Sequence, residues 1–218
     1  MKDASHRVAD ECVEPGRSGG AIRERVLKAA FALFRERGFP GVSMLEIATR
    51  AQASKRDLYA LYDNKHALLA DCIGERARAM RRPLDPEAAA PTTRQALAAL
   101  LVELGASILR GACRPEVLTV YRLTIAESDR APEIARALDN SGRQTNHRAL
   151  AELLAKAQAA ALIGDGEPTV LATRYFTVLW GDLLIRLLMR VREAPTEEEI
   201  MARAHAATET LVALQGSQ

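Results

Sequence analysis

VSMLEIATRAQASKRDLYALYDNK, residues 42–65, decides the fold. Ser43 and Glu46 stand three apart, just ahead of the apolar pair Ile47 and Ala48. That is the spacing of a capping box, in which each side chain satisfies an orphan backbone donor at a helix start. Ser54 and Asp57 repeat it a turn and a helix later. Two short helices follow, joined at Gln52 and Ala53. The second opens with Lys55 and Arg56, at the end where the helix dipole and free N–H groups favour anions. Such placement costs roughly 0.3–1 kcal/mol per charge at low salt. It makes sense if the usual neighbour is a polyanion, and recognition helices commonly enter the major groove by their N-terminal residues. Lys65, at the start of the next helix, is placed to hold a further phosphate. The plain alternative is a small helical subdomain with an ordinary solvated charged face.

Residues 22–69 resemble the DNA-binding domain of the tetracycline-repressor (TetR) family of bacterial transcription regulators. The resemblance is carried by Leu33-Phe34-Arg35-Glu36-Arg37-Gly38, by Gly41-Val42-Ser43, and by Leu58-Tyr59-Ala60-Leu61-Tyr62-Asp63-Asn64-Lys65-His66-Ala67-Leu68, without a gap. It implies that Lys55 and Arg56 approach the groove, that Ser43, Tyr59 and Lys65 hold phosphates, and that Met44 or Leu61 touches a thymine methyl. Ser54 and Asp57 complete the expected DNA-contacting set. Two positions depart from the pattern. Gln52 stands where the turn usually has glycine, so a less permissive residue must make the bend. Asp57 replaces a small residue or threonine; its carboxylate could repel phosphate, accept from a cytosine amino group, or cap the helix, and capping is the favoured role. Tyr62 falls where the family buries a phenylalanine and is read as core.

Composition agrees. From residue 21 to 65, nine Lys/Arg face five Asp/Glu, whereas from 66 to 218 the balance is 18 to 19. The basic end is the motif end, as a nucleic-acid module requires. Cys12, Cys72 and Cys113 have neither metal-ligand nor disulfide spacing, which fits a reducing cytoplasm. The four histidines are scattered. No nucleophile–base constellation, phosphate loop or metal cluster stands out, so an enzyme is not expected and no cofactor or metal is implied. Residues 1–20 carry seven charges and little to bury, and are expected to be a disordered tail without signal-peptide character.

The rest reads as helix throughout. A first helix over 21–37, with Ile22, Val26, Ala29, Ala30, Leu33 and Phe34 on one stripe, ends at Gly38 and Pro40. A fourth runs over 65–82 to Pro83 and is the plausible lever between the head and the remainder. Further helices are expected over 92–113, 115–128, 132–162 (with a break near Ser141-Gly142) and 169–193. The last begins with the Thr196/Glu199 pair. The 169–193 run is apolar almost all round, so it must be buried on several sides; it is too short to span a membrane and is interrupted by Asp182 and Arg186, which should pair.

The second half is similar to the C-terminal domain of AefR-like TetR regulators. That likeness rests on residues 117–130 (VLTVYRLTIAESDR), on Pro132-Glu133-Ile134-Ala135 and on Trp180-Gly181-Asp182-Leu183-Leu184. The expected architecture is all-α: a tail (1–20), a helix-turn-helix domain (21–66) and a helical effector-binding and dimerisation domain (67–218), with about nine helices in all. Polar or aromatic residues set in apolar helices, namely Tyr121, Arg122, His147, Arg174 and Phe176, are the effector-pocket candidates, although buried Tyr is more often core and Arg more often faces solvent. Ile200, Ala204, Ala207, Leu211 and Leu214 alternate at spacings of four and three, a packing seam. With Trp180, Leu184 and Leu188, the residues Ala204, Ala207 and Leu211 are assigned to a homodimer interface. The implied function is a cytoplasmic repressor on a palindromic operator, released by a small molecule. A helical ligand-binding or scaffolding protein with a non-functional head, or a transcriptional activator, is the alternative.

Overall fold

Helix α1 (Pro15–Arg37) lies against every other part of the N-terminal head in this computed structural model, which describes residues 15–84 and 90–213. It starts earlier than expected. Residues 15–20 are helical, with Pro15, whose fixed φ suits a first turn, at its start. The rest of the tail, including Cys12, lies outside the described residues. Val26, Ala30, Leu33 and Phe34 form the buried stripe. Gly38, at φ +73°, ends the helix by donating its N–H to the Phe34 carbonyl at 3.0 Å.

The chain continues through α2 (Met44–Ala51), α3 (Lys55–Leu61) and α4 (Lys65–Met80), then a 3₁₀ turn at Arg82–Leu84 that contains Pro83. Next come α5 (Arg94–Ala112) and α6 (Pro115–Ala126), then α7 (Pro132–Leu138), a π-helical stretch Asp139–Gln144 and α8 (Thr145–Ala159). Helices α9 (Pro168–Trp180), α10 (Leu183–Leu188) and α11 (Glu197–Ala213) close the chain. No strand occurs among the described residues, and the fold is all-α. One buried cluster runs without a break from Val26, Phe34, Ile47 and Leu58 in the head, through Leu68, Leu69 and Ile73 of α4, to Leu101 and Ile108 of α5.

Two expected long helices are each divided, which accounts for the larger number of segments. The break anticipated near Ser141-Gly142 is the π stretch. The 169–193 run is cut at Gly181, which takes a φ of +45° while its N–H donates to the Thr177 carbonyl at 2.9 Å. Cutting it resolves an all-round apolar pattern that one straight helix could not bury. Helix α9 covers Leu171, Tyr175, Phe176 and Leu179, while α10 turns Leu183 and Leu187 toward α6. The exposed Asp182–Arg186 pair forms as anticipated, at 3.4 Å.

The α11 seam is intramolecular. Ala204, Ala207 and Leu211, assigned above to a dimer interface, are fully buried against α5 and α9 of their own chain. A heptad-like seam states that another helix packs there, not which chain supplies it. Helix α5 is the partner. By length and composition it alone among the described helices could cross a membrane, yet its Leu97, Leu101, Leu104 and Ile108 are buried inside the protein.

The close approach of these helices rests on Gly105. Tyr175, buried in α9, donates its hydroxyl to the Leu101 carbonyl at 2.6 Å, and a Cβ at Gly105 would overlap that hydroxyl and crowd Ala204. Helix propensity alone would favour alanine by ~1 kcal/mol. Overpacking costs about 1–3 kcal/mol, so the overlap should win. Urea unfolding of Gly105→Ala is expected to show a net loss of about 1–2 kcal/mol, and a gain would mean that Tyr175 moves aside freely.

Candidate nucleic-acid interface and ligand cavity

Both capping boxes form in the head. Ser43 Oγ accepts from the Glu46 N–H at 3.2 Å while Glu46 accepts from the Ser43 N–H at 2.8 Å. Asp57 N–H donates to Ser54 Oγ at 3.0 Å, and the Asp57 carboxylate accepts from the Ser54 N–H at 3.3 Å and its hydroxyl at 2.7 Å. Asp57 is therefore a cap, as favoured. Gln52 takes the left-handed conformation that glycine would hold more cheaply, at φ +51° and ψ +43°. Arg25 reaches across from α1 to the Ala51 carbonyl at 3.1 Å, covering the carbonyl end of α2. A bidentate Arg50–Glu36 pair (2.6 and 2.9 Å) and an Arg37–Glu46 pair (2.8 Å) join α2 to α1 along their exposed edge.

Helix α3 has a held side and a free side. Leu58 is fully buried, and Tyr62 is buried as core with its hydroxyl donating to Asp71 at 2.5 Å. Ser54, Lys55, Arg56, Tyr59 and Leu61 are exposed, as is Ser43 at the start of α2. Lys55 sits 5.8 Å from the Tyr59 ring centroid, and neither Lys55 nor Arg56 pairs with a described carboxylate. Met44 is half-buried against the core. Leu45, which sequence reading passed over, is 62% exposed. The signal was present: with Ile47 and Ala48 facing in, helical geometry turns position 45 outward.

Lys65 corrects an expectation. Its ammonium donates to the carbonyls of Phe39 and Val42, each at 2.7 Å, and lies 4.3 Å from the Phe39 ring centroid. Burial pulls its pKa below the ordinary lysine value, against a partial offset from Glu46. Two of its three donors thus close the 39–42 turn that leads into α2. It is a clamp between α4 and that turn, because those carbonyls have no helical partner and a half-buried site holds an ammonium well only when it is hydrogen-bonded.

Behind the head, α4, α5, α6, the π stretch, α8, α9 and α10 enclose a cavity of about 500 Å³. Tyr121, His147 and Phe176 line it, as expected. His147 stacks on Phe176 with centroids 4.4 Å apart, and burial, reinforced by Arg143, pushes its imidazole pKa down, toward the neutral form. Burial pushes the Tyr121 phenol up. Two pocket candidates are misplaced. Arg122 donates to the Leu187 and Leu188 carbonyls at 2.7 and 3.0 Å, closing the end of α10. Arg174 lies on the exposed face of α9. Three residues assigned above to a dimer interface, Trp180, Leu184 and Leu188, line this cavity, because the bend at Gly181 turns the end of α9 and one face of α10 toward it.

Sequence reading missed Phe31 of α1, Arg76 of α4, Asn146 of α8, and Asp139 with Arg143 of the π stretch. Only the π stretch had a signal, the break near Ser141-Gly142. Such irregular turns often mark functional sites.

Residues 26–72 match the family model for bacterial regulatory proteins of the tetR family, and residues 99–215 match that of the AefR-like transcriptional repressor C-terminal domain. Among solved structures, a TetR-family transcriptional regulator from Mesorhizobium loti is similar with a TM-score of 0.71 at 24% identity, over 90% of this chain and 97% of its own. The flavonoid-responsive regulator FrrA gives 0.69 at 28% identity, over 91% and 100%. A TetR transcriptional regulator from Agrobacterium tumefaciens gives 0.71 at 22% identity, over 88% and 93%. Comparison with curated proteins gives no match.

Asp71 supplies a pH test of the head's attachment. Burial alone would raise its carboxyl, but hydrogen bonds from Arg23 (2.6 and 3.0 Å) and from Tyr62 outweigh that and hold it below the usual carboxylate value. A depressed carboxyl stabilises the fold above its unfolded pKa of about 4, and that contribution is lost as pH falls through the folded value. Asp71→Asn should therefore be less stable than wild type by about 1–3 kcal/mol at pH 7, with the gap narrowing below about pH 4. Urea titrations at several pH values read this out. A gap that is constant with pH would show that the carboxylate's charge is not what matters.

Proposed function

Since the chain belongs to the TetR family of bacterial transcription regulators, with a C-terminal domain of the AefR-like type, we propose that it is a repressor that binds a palindromic operator as a homodimer and leaves it when a small molecule fills the cavity. The observation that carries this reading is the outer face of α3. Lys55, Arg56 and Tyr59 stand exposed on a doubly capped helix whose other side is fixed by Leu58 and Tyr62. Cations at the front of such a helix meet their energetic complement in phosphates. Arg56 is assigned to a base edge and Lys55, Tyr59 and Ser43 to the backbone; Leu45 and Leu61 are the exposed apolar side chains for a thymine methyl.

Two copies would place their α3 helices about 34–36 Å apart, one turn of DNA. With the α11 seam engaged inside the chain, the surface for a second copy is the outward apolar set beside α10, Met189 and Val191, with Val170 of α9. The cavity is of the size small-molecule sites have, roughly 300–1,000 Å³. FrrA, whose name makes it responsive to flavonoids, supports an aromatic-sized ligand for it.

Selection of bound duplexes from a random pool, followed by mobility shifts, tests the reading. A palindromic site should emerge. Lys55→Ala should weaken binding to all sequences alike and lower the log–log salt slope by about 1. Arg56→Ala should relax preference at one base position, costing roughly 1–3 kcal/mol on the best site. Recovery of no enriched sequence, or unchanged slope and preference in both variants, would overturn the proposal.

A further inference from the structure

The charged groups around the cavity are unequally satisfied. Asp139, the one carboxylate on its wall, is already held by Arg143 at 2.5 Å and by Gln144 at 2.6 Å. Asn146 uses its carbonyl oxygen to accept from Arg81 at 2.8 Å, which leaves its amide N–H groups as what it can offer. No described carboxylate pairs with Arg76. The neighbouring Glu75 is turned to Arg23 and Arg78, and the Arg76 guanidinium lies 4.1 Å from the centroid of the Phe31 ring instead. A half-buried cation resting on an aromatic face is the weakest of the accommodations open to it. Apart from the Tyr121 phenol and the His147 imidazole, the remaining wall, from Ile73 through Ile108 to Leu184, is largely apolar. A largely apolar chamber with one guanidinium that no described carboxylate meets, and a carboxylate already paired, is complementary to a molecule that is mostly hydrocarbon with a single negative charge.

We propose that the cavity takes an apolar monocarboxylate, whose carboxylate is met by Arg76 and draws it off the ring of Phe31. The ligand class rests on reading the cavity as the effector site; the residues give it a direction. Phe31 belongs to α1, which packs on both α2 and α3, whereas Arg76 belongs to α4. The charge of the ligand is thereby read at the seam between the head and the cavity. A bidentate guanidinium–carboxylate contact replaces the cation–ring contact, and α1 loses the cover that Arg76 gave it.

Trp180 is the chain's one tryptophan and lies on the cavity wall, so its fluorescence reports filling without reference to DNA. Decanoate and 2-naphthoate are titrated beside their neutral primary amides. At least one carboxylate is expected to bind more tightly than its amide by roughly tenfold to a hundredfold, the range of one charge-assisted contact. Arg76→Gln should erase that preference, with far-UV circular dichroism showing that the variant is folded. Phe31→Leu should raise the carboxylate-to-amide ratio about two- to fivefold, since the ring no longer competes for the guanidinium. Equal binding of acid and amide, a preference that survives Arg76→Gln, or no saturable signal from any probe overturns the ligand class. An unchanged or reduced ratio in Phe31→Leu overturns the coupling to α1. If the carboxylates bind as stated but no DNA sequence is ever selected, the regulatory reading fails while this one stands. If an operator is found and the acid–amide ratio is one, the reverse holds.

Discussion

Three side chains meet where α1, α3 and α4 converge: the Asp71 carboxylate accepts from the Tyr62 hydroxyl at 2.5 Å and from Arg23 at 2.6 and 3.0 Å. Everything the head does depends on this junction. Helix α3 has seven residues, and a helix so short has no independent stability in water. Its Ser54/Asp57 capping box fixes where it starts, and Leu58 fixes which side faces in. Tyr62, the residue that closes it, fixes its far end to α4. With both ends and one face tied down, the outer face has one orientation, and Lys55, Arg56 and Tyr59 are carried with it. Burial pushes the Tyr62 phenol well above its ordinary pKa, with Asp71 adding to the effect, so the donor is a neutral hydroxyl.

Helix α4 then takes on a second duty. Its first residue, Lys65, clamps the 39–42 turn in front of α2. Its middle holds Asp71, and its later turns carry Ile73, Arg76, Ala77 and Met80 into the cavity wall. A shift of this helix cannot leave the head undisturbed, because its first half is tied to the head and its second half to the cavity. In the regulator proposed above, that shared helix is the two-state element on which effector and DNA would act, each favouring a different setting.

Much of the head was legible in the sequence because its determinants are local. Ser43/Glu46 and Ser54/Asp57 announce helix starts at fixed spacing, Gly38 and Pro40 a stop, and Gln52 a strained bend, and each does what its chemistry dictates. The C-terminal half yielded its helices but not their uses. Ala204, Ala207 and Leu211 repeat with the period of a seam, and periodicity is blind to whether α5 or another chain fills it. Trp180, Leu184 and Leu188 reach the cavity wall because of one backbone angle at Gly181, which no hydrophobic pattern specifies. Lys65 was assigned from its place in a motif, whereas its partners are carbonyls 23 and 26 residues away. Arg76 and Phe31 looked like ordinary members of two helices. Only assembly makes one of them a cation that no described carboxylate meets and the other its platform, both at the edge of a cavity.

Native-state amide hydrogen exchange tests most directly whether α3 is keyed to α4 or moves by itself. If the Tyr62–Asp71–Arg23 junction holds it, the amides of Leu58 and Tyr62 should open with the same free energy as those at the centres of α1 and α4, and Tyr62→Phe should let the α3 amides open first while α4 is unaffected. Exchange of the α3 amides in the wild type at a much lower free energy than α1 and α4, unaltered by Tyr62→Phe, would contradict this account.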